Sequence, residues 1–333
     1  MKVIIHTPNW IGDSILAIPS LAALRKNLPY SKIWVATRPW VTELFSSLDF
    51  VEGIIPLLPQ QDFMSLWNSA RAIRAYHFDA GLLLPNSFSS ALLFFLAKVP
   101  QRWGYQKDGR GLLLTKRVPP INLGRPIHQV HYYLSLLAGL GFEARSPELL
   151  LPLPSAAEEE AQAFLRSLNI DRESPLIIFH PGAAYGPSKR WPAQKYAELA
   201  SLFQERNKAS ILIVGSKDEE ECAETIVSLS RKRPINLVGK TTLGLLAGLI
   251  HQASLFVSND SGPMHIANAL RVPVVTIFGP TDPRQTGPFQ EPSSVIKKEV
   301  SCWPCSYREC PYDHRCMMTI EAEEVYQISQ RYL

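Results

Sequence analysis

The sequence has no uninterrupted apolar stretch of the ~20 residues that a membrane-spanning helix needs. It opens directly into a strand-like segment, without the basic and apolar regions of a signal peptide, so we expect a cytoplasmic protein. Four of the five cysteines crowd into residues 302–316, whereas a fold built on disulfides spreads its cysteines along the chain.

Several catalytic signatures are also missing. The glycine motif G-x-G-x-x-G does not follow the first strand-like segment, which disfavours a dinucleotide-dependent dehydrogenase. The Walker motif, the nucleophile elbow G-x-S-x-G, the zinc motif H-E-x-x-H and the kinase signatures are absent as well. The chemistry must therefore come from residues outside these motifs.

The 333 residues are 46% apolar and 19% charged, a composition typical of soluble globular proteins long enough for two domains. Short apolar runs alternate with segments of helical periodicity in both halves of the chain. This alternation predicts an α/β protein with two doubly wound, Rossmann-like domains facing across a cleft. The predicted strands are residues 3–5, 32–36, 53–56, 80–84, 176–180, 210–214, 235–237, 255–258 and 274–278.

A polar, proline-flanked passage separates the two series of strands. It contains "PSAAEEEAQAF", in which Ser155 and Glu158 have the spacing of a helix capping box. We therefore predict an N-terminal domain over residues 1–150, a linker with a helix over 151–172 and a C-terminal domain over 173–319. Residues 320–333 are predicted to form a closing helix.

The net charge of +4 is unevenly distributed. Residues 1–150 contain 15 Lys and Arg against 9 Asp and Glu, whereas residues 151–333 contain 19 against 21. The basic segment, residues 98–125, contains seven Lys and Arg and one acid, Asp108. Such a segment is either an ordinary solvated surface or a surface for a polyanionic acceptor or an anionic membrane. Duplex nucleic acid is disfavoured because no binding motif accompanies the charge.

A carboxylate, Asp13, stands between a glycine and an apolar helical run in "NWIGDSILAIP". The stretch follows the first predicted strand, and ligands bind at the carboxyl ends of strands in open parallel sheets. The ordinary role for Asp13 or Ser14 is to cap the helix that we predict over residues 14–27. A catalytic carboxylate is the alternative.

Two loops at predicted strand ends of the second half carry groups suited to a diphosphate. The loop "HPGAAYGPSKRWP", residues 180–192, places Lys189 beside glycines that let a phosphate approach the backbone. The stretch "SNDSGPMH", residues 258–265, begins a helix whose free N–H groups suit an anion. Asp260 is suited to sugar hydroxyls or to helix capping, and His265 to a phosphate oxygen or to core packing.

A third loop offers Glu219 as an acceptor for ribose hydroxyls, although acids in a first helical turn ordinarily complement the helix dipole. For the loop that carries Lys189, a surface turn with ordinary charges is likewise the alternative interpretation. These residue types suit group transfer from a nucleotide-activated donor.

The clustered cysteines, Cys302, Cys305, Cys310 and Cys316, are dense enough to bind a soft metal. They lack the paired C-x2-C spacing of a standard zinc ribbon. Three alternatives stay open: a structural metal, reduced thiols in a packed loop, and disulfides, which the cytoplasm disfavours.

Taken together, these stretches resemble the bacterial lipopolysaccharide heptosyltransferases. The resemblance runs over nearly the whole chain. It rests on "PNWIGDSILAIPSL", "LLPNSFSSALLFFLAKVPQRWGY", "HPGAAYGPSKRWP", "SNDSGPMHIANAL" and "CPYDHRCM". It implies the GT-B glycosyltransferase fold, an ADP-heptose donor held by the second domain, and an inverting transfer that needs neither a metal nor a cofactor.

The resemblance also implies roles for individual residues. It implies that Asp13 is the base that deprotonates the acceptor hydroxyl and that Lys189 engages the diphosphate. The other implied donor contacts are Glu219, Asp260, Ser261, Gly262 and His265. The register at Glu219 is open because three consecutive glutamates stand there.

The implied acceptor is the lipid A–Kdo inner core that already bears one heptose, an amphiphilic polyanion at the inner face of the inner membrane, where we expect peripheral contact. The basic segment and the neighbouring apolar "ALLFFLAKVP" are then the acceptor-facing side, with Arg102, Lys107 and Arg110 as candidate contacts. Two other functions stay open: transfer at another heptose position or of another sugar, and a non-catalytic nucleotide-sugar-binding protein, which needs no base at Asp13.

Overall fold

The computed structural model describes residues 1–59, 62–121, 124–145, 148–170 and 173–333. These residues form two compact units, Met1–Pro152 and Leu153–Leu333, each with one six-stranded parallel sheet. The predicted α/β architecture is therefore confirmed. None of the helices in the described ranges combines the length and the apolar character needed to span a membrane.

The first unit is a doubly wound sheet. Its strands are β1 (Lys2–His6), β2 (Lys32–Thr37), β3 (Val51–Pro56), β4 (Ala80–Leu83), β5 (Gln101–Tyr105) and β6 (Lys116–Val118). Its helices are α1 (Ile11–Asn27), α2 (Thr42–Ser46), α3 (Phe63–Arg74), α4 (Phe88–Leu96) and α5 (Gln129–Gly139). The strand order is β3-β2-β1-β4-β5-β6, so the order reverses beside β1, and ligands bind at such a switch point.

The second unit repeats this plan. Its strands are β7 (Leu176–His180), β8 (Ser210–Ile213), β9 (Ile235–Asn236), β10 (Leu255–Asn259), β11 (Val274–Phe278) and β12 (Ser293–Lys297). Its helices are α6 (Ser155–Ser167), α7 (Ala193–Arg206), α8 (Glu220–Leu229), α9 (Leu243–His251), α10 (Gly262–Ala269), α11 (Pro283–Thr286), α12 (Arg315–Met318) and α13 (Ala322–Ser329). The strand order is β12-β11-β10-β7-β8-β9, which places the switch point between β7 and β10.

The apolar run "ALLFFLAKVP" belongs mostly to the core of the first unit. Leu93 and Phe94 of α4 are fully buried and join the cluster that contains Ile73 of α3. Gly81 in β4 makes room for this packing, since a Cβ there would lie 2.4 Å from the Phe94 ring. The prediction that this run faces the acceptor is therefore wrong for most of its residues, although Phe95 remains 49% exposed.

The linker helix belongs to the second unit. Its Ala157 carbonyl packs so closely on α9 that a Cβ on Gly248 would lie 2.4 Å away. The predicted capping box is wrong, because Pro154 is the N-cap and Ser155 is already the first helical residue. Residues 171–172 of the predicted linker lie outside the described residues.

One core group makes the stability of the first unit depend on pH. His6 ends β1 and is 5% exposed, and burial, followed by the charges of Arg38 and Arg110, lowers its pKa from 6.5 to about 3. Below pH 6.5 the unfolded chain binds a proton at His6, whereas the folded protein does so only near pH 3. The contribution of neutral His6 to the free energy of unfolding is therefore fully present above pH 6.5 and is lost as the pH falls towards 3.

We expect the contribution of His6 to the free energy of unfolding to fall by about 2 kcal/mol between pH 7.5 and pH 5. Urea unfolding at both pH values measures it. The variant His6→Gln should show a correspondingly smaller loss, while His251→Gln, at an exposed helix end, should behave like the parent. An identical pH dependence for His6→Gln and the parent would contradict this assignment.

Candidate active site

Asp13 lies inside the first turn of α1, because the helix begins at Ile11 and not at residue 14 as predicted. Trp10 is the N-cap and makes no side-chain cap bond, and the Ser14 hydroxyl donates to the Pro8 carbonyl at 3.0 Å. Neither Asp13 nor Ser14 therefore occupies the capping position. A half-buried carboxylate in a first helical turn is instead stabilised by the helix dipole.

The surroundings of Asp13 include the α5 residue Tyr133. Burial raises the pKa of Tyr133 well above its usual value, and the nearby negative charge of Asp13 raises it further. Asp13 thus keeps a partly exposed carboxylate at the carboxyl end of β1, beside a phenol that stays protonated.

A rim of side chains at the ends of β1 and β2 was missed by the sequence reasoning. The Arg38 guanidinium donates to Asn9 Oδ1 at 2.9 Å and to the Leu57 carbonyl at 3.2 Å. The Trp40 indole donates to the Asn9 carbonyl at 2.9 Å while its ring stays 51% exposed. The only local signal was that these residues follow predicted strands. An arginine held beside an exposed aromatic ring suits an anionic sugar.

In the second unit, the loop after β7 places Lys189 in a short 3₁₀ helix, Pro187–Lys189, at the switch point. Lys189 is 8% exposed, and its ammonium forms an ion pair with the buried carboxylate of Asp260. It also lies 4.7 Å from the centre of the Tyr185 ring. Thr281 donates to the same carboxylate at 2.6 Å, so Asp260 positions Lys189 and does not cap a helix.

Asn259 fastens this loop to β10 and was not identified from the sequence. Its Oδ1 accepts from the Trp191 N–H at 3.1 Å and from the Tyr196 hydroxyl at 3.2 Å. Its Nδ2 donates to the Pro181 carbonyl at 2.6 Å. Asn259 therefore holds both ends of the loop that carries Lys189.

Ser261 and Gly262 form the start of α10. Ser261 is the N-cap, but its hydroxyl lies 3.1 Å from His180 Nδ1 and does not bond the helix. The first N–H groups of α10 consequently have no side-chain cap, which leaves them to an anion. His265 lies in this helix and is 4% exposed.

Of the three consecutive glutamates, Glu219 is 5% exposed whereas Glu221 is exposed, and the assignment of one of them to ribose stays a prediction. Its carboxylate accepts from the Ser216 N–H at 2.7 Å and lies 3.7 Å from His180 Nε2. A Cβ on Gly182 would lie 1.5 Å from Glu219 Oε1, so only glycine permits this approach. Burial lowers the pKa of His180 despite the opposing charge of Glu219, which favours the neutral imidazole.

The three candidate acceptor residues lie in different surroundings. Arg110 is fully buried and donates to the carbonyls of Tyr105, at 2.9 Å, and Pro85. Burial lowers its pKa to about 10. Its guanidinium is thus engaged inside the first unit, and its assignment as an acceptor contact stays a prediction. Arg102 donates to the Val99 and Leu113 carbonyls, both at 2.6 Å, and Lys107 is exposed.

The clustered cysteines line a cavity of about 410 Å³ behind the Lys189 loop. All five cysteines are free thiols. Burial, followed by the three neighbouring thiols, raises the pKa of Cys316 to about 11. Among the described residues, no group of three or more His, Cys, Asp or Glu is arranged to hold a metal ion. The cysteine-containing segment contacts the loop that carries Lys189, since the Ser188 N–H donates to the Arg308 carbonyl at 3.1 Å.

The second switch point thus combines a fixed ammonium, an uncapped helix start and a buried carboxylate. An ammonium and an uncapped helix start are groups that suit a diphosphate, and a buried carboxylate such as that of Glu219 is a group that suits sugar hydroxyls. Such a site suits the nucleoside diphosphate part of an activated sugar donor.

Comparison with known proteins agrees with this chemistry. The sequence model of glycosyltransferase family 9 (heptosyltransferase) matches residues 66–315. The lipopolysaccharide heptosyltransferase 2 of Salmonella typhimurium is 32% identical over 308 residues, 89% of this chain and 88% of that one. The lipooligosaccharide heptosyltransferase 2 of Haemophilus ducreyi is 33% identical over 316 residues, again 89% and 88%.

A solved structure extends the likeness to the fold. The Escherichia coli ADP-heptose lipopolysaccharide heptosyltransferase II is 27% identical, with a TM-score of 0.85 over 100% of this chain and 98% of that one. The fold is that of the GT-B glycosyltransferases. Within that class, the chain belongs to glycosyltransferase family 9, the heptosyltransferases.

The buried ion pair can be tested by a double-mutant cycle. Either Lys189→Met or Asp260→Asn leaves one buried polar partner unmatched, and we expect each to cost about 3–5 kcal/mol of unfolding free energy. The double variant should lose at least about 1 kcal/mol less than the sum. Denaturant unfolding of the four proteins measures the coupling.

The control pair is Lys298 and Glu324, which are joined at 2.8 Å with about a third of each side chain exposed. Its cycle, Lys298→Met with Glu324→Gln, should give a coupling below about 1 kcal/mol. Equal coupling in the two cycles would refute the assigned role of the buried pair.

Proposed function

We propose that the protein transfers heptose from ADP-L-glycero-D-manno-heptose to the first heptose of the lipopolysaccharide inner core, with inversion and without a metal ion. The observation that carries this proposal is the Lys189–Asp260 pair at the β7–β10 switch point, beside the uncapped start of α10. The similarity to heptosyltransferases 2 supports the choice of the second heptose step.

On the donor side, Lys189 neutralises the diphosphate in the role that a divalent ion plays in other transferases. Its ammonium is held by Asp260 before the donor arrives, so binding does not have to order a flexible side chain. The free N–H groups of α10 bind the remaining phosphate oxygens, and His265 lies on the same helix. Glu219, buried beside Gly182, accepts from ribose hydroxyls.

On the acceptor side, Asp13 removes the proton from the attacking hydroxyl. An inverting displacement needs one base at the acceptor oxygen and a stabilised leaving group on the opposite face of the sugar. The first unit supplies that base and the second unit supplies the leaving-group site. A non-catalytic binding protein would need only the second.

The acceptor is the lipid A–Kdo inner core that bears one heptose, and the protein acts peripherally at the cytoplasmic face of the membrane that carries it. Arg38 and Trp40, which both donate to Asn9 at the end of β1, bind its anionic sugars. Lys107 is exposed and binds the same polyanion. Arg102 contributes with those N–H groups that do not donate to the Val99 and Leu113 carbonyls.

We expect Asp13→Asn to lower the rate of transfer by at least about 100-fold, because a general base contributes at least that factor. The affinity for ADP-heptose should stay unchanged, since the donor groups lie in the second unit. Turnover is measured by mass spectrometry and donor affinity by calorimetry. The assays contain EDTA, and NMR of the product gives the anomeric configuration.

The control is Glu43→Gln, which removes an exposed acid from the first turn of α2 and should leave transfer unchanged. Normal turnover by Asp13→Asn would refute the assignment of the base. Activity that EDTA abolishes and magnesium restores would refute the metal-free scheme.

We expect Lys189→Ala to weaken ADP binding by about 1.5–3 kcal/mol, the range for a hydrogen bond to a charged group. Calorimetry with ADP alone measures this change and does not depend on turnover. Lys298→Ala, at the partly exposed control pair with Glu324, should bind ADP like the parent. Equal ADP affinity in Lys189→Ala and the parent would show that Lys189 does not engage the diphosphate.

A further inference from the structure

Helix α3 has an exposed apolar end in addition to the face that it buries. Leu66, Ala70 and Ile73 are buried in the core of the first unit. Phe63 and Met64, at the start of the helix, are 64% and 63% exposed. The packing of α3 in its own unit is therefore complete without these two side chains.

Trp67 extends the exposed end by one turn. It is 39% exposed, and its ring stacks on that of Phe63 with 6.4 Å between centroids and 24° between planes. Single exposed apolar residues are ordinary, but three within five positions form a contiguous patch, and such patches mark interaction sites. The helix start itself is satisfied, because Asp62 accepts from the Ser65 N–H at 2.7 Å.

Basic residues continue the exposed side of α3 beyond its apolar end. At 3.6 residues per turn, Phe63, Trp67, Arg71 and Arg74 follow one side of the helix. Both arginines are exposed, and α3 contains no acidic residue. The edge thus joins an aromatic end to a cationic end, the pattern of helices that lie in the interface of an anionic bilayer.

We propose that this α3 edge, consisting of Phe63, Met64, Trp67, Arg71 and Arg74, docks the protein on the surface of an anionic lipid bilayer. The aromatic rings and the methionine enter the headgroup boundary, and the guanidinium groups bind lipid phosphates. The charge of the edge is what selects a lipid surface over an apolar protein partner. The inference depends on the proposed function only in that a lipid-borne acceptor requires such a surface.

This assignment differs from the one that the basic segment suggested. Arg110 in that segment is fully buried, and Arg102 donates to two backbone carbonyls at 2.6 Å. Its apolar neighbour is mostly core, with Phe94 fully buried. The α3 edge instead presents its aromatic and basic groups together.

The test is co-sedimentation of the full chain with vesicles of phosphatidylglycerol and phosphatidylcholine in equal parts, and with vesicles of phosphatidylcholine alone. The parent should bind the anionic vesicles and largely remain in solution with the neutral ones. Phe63→Ser combined with Trp67→Ser, and separately Arg71→Glu combined with Arg74→Glu, should each lower the vesicle partition coefficient roughly tenfold or more.

Controls come from other exposed residues. Leu229→Ser, at a leucine that is 55% exposed in the second unit, should bind like the parent. Lys116→Glu combined with Arg117→Glu reverses two exposed charges of the basic segment and should have the smaller effect. Thermal unfolding confirms that each variant is folded.

Any of four results would overturn the proposal. The first three are no preference of the parent for anionic vesicles, unchanged binding by both α3 variants, and loss of binding only in the basic-segment variant. The fourth is unchanged vesicle binding by the α3 variants together with a loss of their self-association in light scattering, which would make the edge a protein interface. Transfer to a deacylated, water-soluble acceptor is measured in parallel and should be retained by the α3 variants. Its absence in the parent would count against the proposed function and not against the docking surface.

Discussion

The buried ion pair between Lys189 and Asp260 is the constraint on which the proposed donor site depends. Lys189 is 8% exposed, and a buried ammonium is costly unless a carboxylate stays beside it, so the loop after β7 must stay in contact with Asp260 at the end of β10. Asn259, the preceding residue, ties the same loop through the Trp191 N–H and the Pro181 carbonyl. Asn259 thus fixes the path of the loop after β7, and Asp260 fixes the position of the Lys189 ammonium.

Much of this arrangement could be predicted from the sequence because its causes are local. Buried parallel strands are apolar runs, and the residues that follow them meet at one edge of the sheet. Asp13, Lys189 and Asp260 were therefore selected by position and residue type. Their roles in catalysis and binding came from the family resemblance, and these roles remain predictions. The pairing of Lys189 with Asp260 was beyond reach, since 71 residues separate the two partners.

The predictions that were wrong concern the burial of charge and the ends of elements. Arg110 was expected at the surface, but the carbonyls of Pro85 and Tyr105 receive its guanidinium inside the first unit. Strand β5 was missed because "QRWGY" contains polar residues and a glycine, yet β4 and β6 flank it on both sides. Helix α1 begins at Ile11 without a side-chain cap. The prediction looked for a capping side chain at the helix start and therefore placed the beginning of α1 too late.

The central claim is that the protein extends an inner core that carries one heptose. The most direct measurement offers the purified protein ADP-heptose together with truncated inner-core acceptors that bear zero, one or two heptoses, and follows the gain of heptose by mass spectrometry. The account predicts that the acceptor with one heptose is extended at least about tenfold faster than the other two. Faster extension of either other acceptor, or of none, would contradict it.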